Sequence, residues 1–453
     1  MNSQRRVGML AALVVISTGF ISGCNDASLP AAEAGEGGPE QASDSGAIPV
    51  DTALDFLRDR EVFLPQLAGG DDGSLFLVWN ERSGERGADL FIAQRAATGA
   101  FGPPVRINDE PESVGGPSFD EGRPAVAVGT GGVIAIAWTA WGESGAADSR
   151  GRGAGPHGQG AAGVHGAVEH GQTGGREGHA GAGHGAGATD IRAVISRDGG
   201  NTFEPSVVLN SDAGASALRG FVDVDVDAAG VVHAAWIDGR FAPRGTHEPA
   251  ELFYARVDDG EVTEINLTAD QQDSICDCCR IDVDVRADDR VVIAFRNTGG
   301  GYRDIFRIET GPDRAFGRPA RLGPPMWELN GCPMIGPLNV GEATLWSEAS
   351  TGKRRILAAT NAGGAYEVVV EDAEDWALER PPRLVVGSPP DAPLLLLPGR
   401  PEGLLLRGSG LEWTVATEGI PRWAMSAALV DGEVILLGSL DGELLTERRA
   451  LGF

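Results

Sequence analysis

One hairpin pattern recurs along this chain and restricts its fold more than any other feature: a strand of alternating apolar residues, a turn rich in Gly or Asp, then an apolar strand ending in an aromatic residue. Copies run from Leu64 to Trp79, Arg123 to Trp138, Phe221 to Trp236 and Arg280 to Phe295, each spanning fifteen steps. Weaker copies run from Ile335 to Trp346, from Pro393 to about Leu406 and from Ala427 to Leu437. A third strand follows in most units, starting at Asp89, Asp190, Glu251 and Asp304, and a fourth closes several, as at Val105 to Ile107 and Val207 to Leu209. Alternation with a period of two makes half-buried strands, and an isolated sheet of four cannot cover both of its faces. Repetition every fifty to sixty residues or so therefore predicts an all-β chain, a β-propeller of four-stranded antiparallel blades. The copies count seven blades, with six as the alternative. Val62, Phe63 and Leu64 are a candidate closing strand for the last blade.

The ends of the chain carry other information. Arg5 and Arg6 precede an apolar run from Val7 to about Ile21, too short to span a bilayer stably and laid out like a secretory signal. It stops at Ile21-Ser22-Gly23-Cys24, which resembles the lipobox of bacterial lipoproteins. That resemblance implies cleavage before Cys24, lipidation of its thiol, and a place in the bacterial cell envelope, at the periplasmic or outer-membrane face. Residues 1–23 are thus expected to be the signal peptide and 24–52 a lipidated cysteine with a flexible tether rich in Ala, Gly, Ser, Glu and Pro. Residues 53–453 would form the propeller. The formal net charge of -28 argues against a nucleic-acid partner, because binding a polyanion requires basic surface. It equally disfavours adhesion to anionic lipid, leaving membrane attachment to the anchor.

One segment carries a fold-specific motif. Ser196-Arg197-Asp198-Gly199-Gly200-Asn201-Thr202-Phe203 matches Ser-x-Asp-x-Gly-x-Thr-aromatic at every defined position, with Ser196, Asp198, Gly200, Thr202 and Phe203 as the defined residues. Degenerate relatives stand at Phe101-Gly102-Pro103 and Phe316-Gly317-Arg318-Pro319. This is the Asp-box, and the chain resembles the sialidase-like propeller superfamily. Its CxCC and NGCP segments are similar to a bacterial lipoprotein branch of that superfamily. The motif's role is local: carboxylate and hydroxyl satisfy turn donors, glycines take positive φ, and the aromatic packs beneath. It says little about activity.

If strands run a to d from the axis outward, the Asp-box joins c to d. Its face therefore also carries the a-to-b turns, and the opposite face carries the b-to-c and d-to-a loops, where propellers bind ligands. The unusual residues converge on that opposite face. Cys276, Cys278 and Cys279 lie in the d-to-a loop entering blade four, and Cys332, with Met334 close by, lies in the loop entering blade five. With Cys24 assigned to the lipid, four of the five cysteines remain. An oxidising compartment favours two disulfides; thiolates with the Met334 thioether would instead suit copper(I) or zinc; one disulfide beside one dithiol is a third arrangement. A Gly- and His-rich insertion, 142–189, interrupts the b-to-c connection of blade two and carries His157, His165, His170, His179 and His184. It reads either as a tolerated low-complexity loop or as a metal-collecting arm.

The resemblance also implies an enzyme reading. Sialidases grip the substrate carboxylate with three arginines and use a tyrosine nucleophile activated by a glutamate. Arg123 and Arg280 stand at equivalent starts of a strands, Arg219 or Arg240 could join them, and Tyr302 is the tyrosine on the ligand face. The chain departs from the family at Phe63-Leu64-Pro65, where an arginine is expected. The reading favoured is a lipid-anchored binding protein whose propeller face takes a metal, protein or glycan ligand, copper-handling through its cysteines. The alternative is a sialidase-like glycoside hydrolase acting on sialosides or related glycans.

Overall fold

The computed structural model describes residues 54–451 except 58, 84–86, 98, 116–121, 142–187, 244–248, 272, 324–325, 330–332, 334, 361–364, 372–376, 379–381, 390, 401, 410 and 441. Seven antiparallel sheets follow one another along the chain. Blade 1 comprises β1 (Val62–Gly69), β2 (Leu75–Ser83), β3 (Gly87–Arg95) and β4 (Val105–Arg106). Blade 2 comprises β5 (Ala125–Val128), β6 (Ile134–Trp141), β7 (Thr189–Ser196) and β8 (Val207–Val208). In blade 3 the strands are β9 (Arg219–Val226), β10 (Val232–Asp238), β11 (Glu251–Asp258) and β12 (Glu261–Asn266); in blade 4, β13 (Asp282–Val285), β14 (Val291–Arg296), β15 (Ile305–Glu309) and β16 (Ala320–Arg321). Blade 5 holds β17 (Leu338–Val340), β18 (Ala343–Glu348), β19 (Arg355–Ala359) and β20 (Glu367–Glu371). A two-stranded ribbon of β21 (Ala377–Leu378) and β24 (Gly399–Arg400) flanks blade 6, which is β22 (Arg383–Leu384), β23 (Leu394–Leu397), β25 (Gly403–Ser409) and β26 (Glu412–Ile420). Blade 7 is β27 (Ala424–Val430), β28 (Glu433–Leu440) and β29 (Glu443–Ala450). Among the described residues the helical elements are short 3-10 turns, and no helix is long and apolar enough to cross a membrane.

Packing explains the repeat. Seven apolar clusters fill the seven contacts between consecutive blades, including the one that brings blade 7 back to blade 1 through Ile435, Leu437, Leu77 and Trp79. The aromatic that ends five of the seven hairpin copies is the centrepiece of this packing: Trp79, Trp138, Trp236, Phe295 and Trp346 are all fully buried. Each such burial contributes roughly 2–3 kcal/mol.

Two expectations change in detail. Val62 to Leu64 do not add a strand to the last blade; they belong to the innermost strand of the first, pairing Val62 with Glu81 and Phe63 with Asn80 before a bulge. The ring closes instead by the apolar cluster and by hydrogen bonds from Val62 N–H to the Gly442 carbonyl (2.8 Å) and Leu67 N–H to Ser426 Oγ (3.0 Å). The copy from Pro393 to Leu406 forms the second and third strands of blade 6, because its innermost strand, Arg383–Leu384, is too short to show alternation.

Candidate functional site

The Asp-box sits where its topology requires, in the c-to-d turn of blade 2 between β7 and β8. Asp198 accepts from Thr202 N–H (2.9 Å), Thr202 Oγ1 (2.6 Å) and Ser196 Oγ (2.9 Å), while Ser196 Oγ accepts from Gly200 N–H (2.9 Å). The Thr202 bonds foremost hold the Asp198 carboxyl below the usual carboxylate range. Gly199 and Gly200 take φ of 74° and 86°, conformations costly for any residue with a Cβ. Gly199 N–H donates to Gly132 in the a-to-b turn of the same blade (3.0 Å), so both turns share a face. The degenerate copies are packing elements too: Phe316 stands edge-on to Tyr254 at 4.8 Å, and the Tyr254 hydroxyl meets His233 Nδ1 at 2.7 Å.

On the opposite face, Cys276, Cys278 and Cys279 come together. Their Sγ atoms all lie within 4.8 Å of one another, with Cys276 2.9 Å from Cys279 and 3.7 Å from Cys278. Cys276 and Cys279 are buried thiols, whereas Cys278 is half-buried and disulfide-bonded. Neither neighbour is its partner, so the mixed arrangement of one disulfide beside one dithiol is the one present. Backbone bonds hold the loop rigidly against its neighbours: Ile275 N–H to Ala250 O (3.1 Å), Cys276 N–H to Arg296 O (2.8 Å) and Thr298 N–H to Ser274 O (3.0 Å). The Cys276 thiol is held below the ordinary thiol range by its hydrogen bond with Cys279, opposed by burial and supported by the Arg296 guanidinium. Sulfurs sharing a four-coordinate metal at bonds of about 2.3 Å stand about 3.8 Å apart. The 3.7 Å separation suits that spacing; the 2.9 Å one would have to widen. Binding through all three sulfurs also requires reduction of the Cys278 disulfide, since oxidised sulfur is a poor ligand.

Arg296 was not singled out by the sequence, yet it organises this region. Its carbonyl receives Cys276, and its fully buried guanidinium donates to Ile335 O (2.9 Å) and Ser347 O (3.0 Å) in blade 5. Gly336 completes the junction: a Cβ there would lie 2.1 Å from the Arg280 carbonyl, so only glycine permits this approach. Ile335 and Gly336 follow Cys332 and Met334, which themselves lie outside the described residues. His157, His165, His170, His179 and His184 also lie outside them, as does Cys24 with the signal and tether. The insertion's flanks are described: Trp141 pairs with Thr189, so the chain leaves and rejoins blade 2 at one point.

The arginines proposed for substrate have other duties. Arg219 is fully buried and bonds Asp238 (3.0 Å) and Asp212 (2.6 Å); Arg240 bonds Asp238 (2.7 Å) and Glu264 (2.6 Å) and lies 3.9 Å over the Phe253 ring. Burial pushes the Asp238 pKa up, but Arg240, Arg219 and Trp236 overcome this and hold it below the usual range. Arg123 Nη1 donates to Gln66 Oε1 (3.3 Å) and Arg280 Nη2 to Val222 O (3.0 Å), each tying its blade to the one before. Both, with Arg383, act electrostatically on half-buried Asp223, a carboxylate of the protein itself. Tyr302 lies in the b-to-c loop of blade 4, half-buried, and its hydroxyl has no carboxylate partner among the described residues.

Two further arrangements escaped the sequence. Asp223 and Asp225 of β9 accept from Val283 N–H (2.8 Å) and Val285 N–H (2.6 Å) of β13, and Asp282 accepts from Asn339 N–H (2.7 Å) of β17. Innermost strands are sheet edges with spare N–H groups, and carboxylates from the preceding blade satisfy them. Secondly, the acid starting strand c bonds an Asn ending strand d: Asp89 with Asn108 (2.8 Å), Asp190 with Asn210 (2.9 Å). The recurrence of Asp or Glu before each third strand was the available signal.

No family model matches the sequence, and no curated protein matches it. Among solved structures, similar chains include the Hadza microbial sialidase Hz136, at 12% identity over 88% of this chain and 67% of that one, TM-score 0.40. An α-L-arabinanase of Penicillium chrysogenum complexed with arabinobiose is 11% identical over 87% of this chain and 95% of that one, TM-score 0.45. A polysaccharide lyase, an ulvan lyase bound to its oligosaccharide, is 13% identical over the same shares, 87% and 95%, TM-score 0.47. At these identities the likeness concerns the fold alone.

Proposed function

We propose that the protein is a lipid-anchored β-propeller of the bacterial cell envelope that binds a soft metal ion, copper(I) before zinc, on the face opposite the Asp-box. The observation that carries this reading is the Cys276, Cys278 and Cys279 group, three sulfurs within 4.8 Å in a loop held on both sides, two of them thiols and the third a donor once its disulfide is reduced. Soft thiolates select copper(I) and zinc over the hard cations that an acidic surface attracts. Cys332 and Met334 would add donors from the next loop, and the histidines of the 142–189 insertion would gather metal for delivery to this face. Lipidation at Cys24 would keep the domain at the membrane.

The test uses fully reduced full-length protein, loaded anaerobically with copper(I) and dialysed. Retention of about one equivalent, reduced at least about tenfold by Cys276→Ser, is expected for a thiolate site. Equal loss of metal from wild type and variant would overturn the reading. The glycosidase alternative would need Tyr302 as nucleophile beside a carboxylate, with Arg123 and Arg280 open to substrate. No observation favours it, and no release from a fluorogenic sialoside is expected; turnover abolished by Tyr302→Phe would reverse the order of the two readings.

A further inference from the structure

Cys276 and Cys279 are two buried thiols that meet across a single turn, with their Sγ atoms 2.9 Å apart. A disulfide holds its sulfurs about 2.05 Å apart, so a movement of less than about 1 Å would join them. The turn is fixed at both ends. Ile275 N–H donates to Ala250 O (3.1 Å) and Cys276 N–H to Arg296 O (2.8 Å), and directly after Cys279 the Arg280 guanidinium is anchored on Val222 O (3.0 Å). At 2% and 1% exposure, neither sulfur is open to an oxidant as large as a peptide or protein disulfide. We propose that this pair is a peroxide-responsive dithiol: a water-sized hydroperoxide converts it to the Cys276–Cys279 disulfide, which switches off the soft-metal site. The switching rests on the metal reading above; the oxidation does not.

The chemistry needs these two sulfurs and the hydroperoxide alone. With hydrogen peroxide, one sulfur attacks an oxygen: the S–O bond forms, the O–O bond breaks, and the departing hydroxide takes the thiol proton and leaves as water. The product is a sulfenic acid. The second sulfur then attacks the first, so that the S–S bond forms and the S–O bond breaks. The hydroxide expelled takes the second thiol proton and leaves as a second water. Two thiols have lost two electrons in all, and the peroxide oxygens have gained them. Oxidised sulfur is a poor ligand, so the step removes two of the three sulfurs available to metal. Metal and oxidant thus compete for the same lone pairs.

The test uses full-length protein purified anaerobically, in two arms. In the first, a chelator is present, hydrogen peroxide is added stepwise, and linkages are mapped by mass spectrometry after acid quench and alkylation. Joint loss of the two alkylatable thiols, with a Cys276–Cys279 crosslink in their place, is expected. Cys276→Ser and Cys279→Ser should each halt at the first step, raising capture of the sulfenic acid by dimedone at least about tenfold over wild type. Both thiols still alkylated after excess peroxide, or each oxidised separately to sulfinic acid, would overturn the proposal whether or not either variant folds. The second arm loads fully reduced protein with zinc, which peroxide does not oxidise, and reads its release with a colorimetric chelator. Release at the rate of crosslink formation is expected; zinc retained after crosslinking would overturn the switching. Failure to bind zinc before peroxide would overturn the metal reading and the switching with it, while the first arm still decides the oxidation.

Discussion

Asp225 shows how single side chains set the response of this ring to pH. Burial pushes its carboxyl up to about 7, against the hydrogen bond from Val285 and with added repulsion from Asp284 and Asp223. Burial likewise raises Asp223, Asp282 and Asp284. The folded state therefore keeps protons that the unfolded chain releases above about pH 3.9. The associated stability is complete below that value and lost as pH rises through about 7, at most roughly 4 kcal/mol for Asp225. In thermal melts across this window, Asp225→Asn should gain steadily on wild type, whatever the constant offset between them; parallel curves would contradict the assignment. Asp238 has the opposite sign: its depressed pKa gives stability present above the unfolded value and lost on acidification. Arg219→Ala removes one of its two arginine partners, leaving Asp238 to Arg240 and Trp236, and should lower stability in denaturant unfolding by less than the roughly 3–5 kcal/mol that a fully unpaired buried carboxylate costs.

At the scale of strands and loops, two devices recur. The acid-to-Asn lock ties the start of a third strand to the end of a fourth: Asn210 receives Ile191 N–H (2.9 Å) and donates to Asp190 (2.9 Å), both buried. Asn210→Ala leaves these groups without their partner and should cost about 1–3 kcal/mol, read as a lower unfolding midpoint. The second device is the bulge opening some hairpin copies, where Leu64 and Phe221 take φ of 50° and 56° while buried. Apolar packing must offset that strain, as a left-handed conformation is unfavourable for residues of this size. The insertion in blade 2 obeys simpler rules. Because Trp141 pairs with Thr189, replacing 142–188 by a short glycine turn joins strands already adjacent, and loop-closure entropy should raise stability by at most about 2 kcal/mol. A clear fall in the midpoint would mean that the insertion packs on the domain.

For the whole ring, closure rests on packing at one junction rather than on a shared strand. Leu54 and Leu57, just ahead of β1, are buried in the cluster that joins blade 1 to blade 7. Truncation after residue 46 should leave the unfolding midpoint unchanged. Truncation after residue 60 should lower it, since each leucine lost from such a cluster costs about 2–5 kcal/mol. Circular dichroism melts of the two truncations would locate the start of the folded domain, and equal midpoints would move it beyond Arg60.

What could be read from the sequence was whatever repeats locally. Alternation, turn glycines and terminal aromatics specify each hairpin through neighbours in the chain, so the seven blades, the Asp-box turn and its face followed from spacing. The gathering of Cys276, Cys278 and Cys279 also followed, since they share four consecutive positions with Asp277. The roles of charged residues did not follow. Asp223 and Asp225 alternate with valines and look like a solvent face, yet ring closure places them against the open edge of the next blade, about sixty residues away. Arg219 and Arg280 look available until the acids and carbonyls of other segments converge on them, and Arg296 is one more arginine until Ile335 and Ser347 arrive from blade 5. Partners so distant are chosen by the angle at which whole sheets pack.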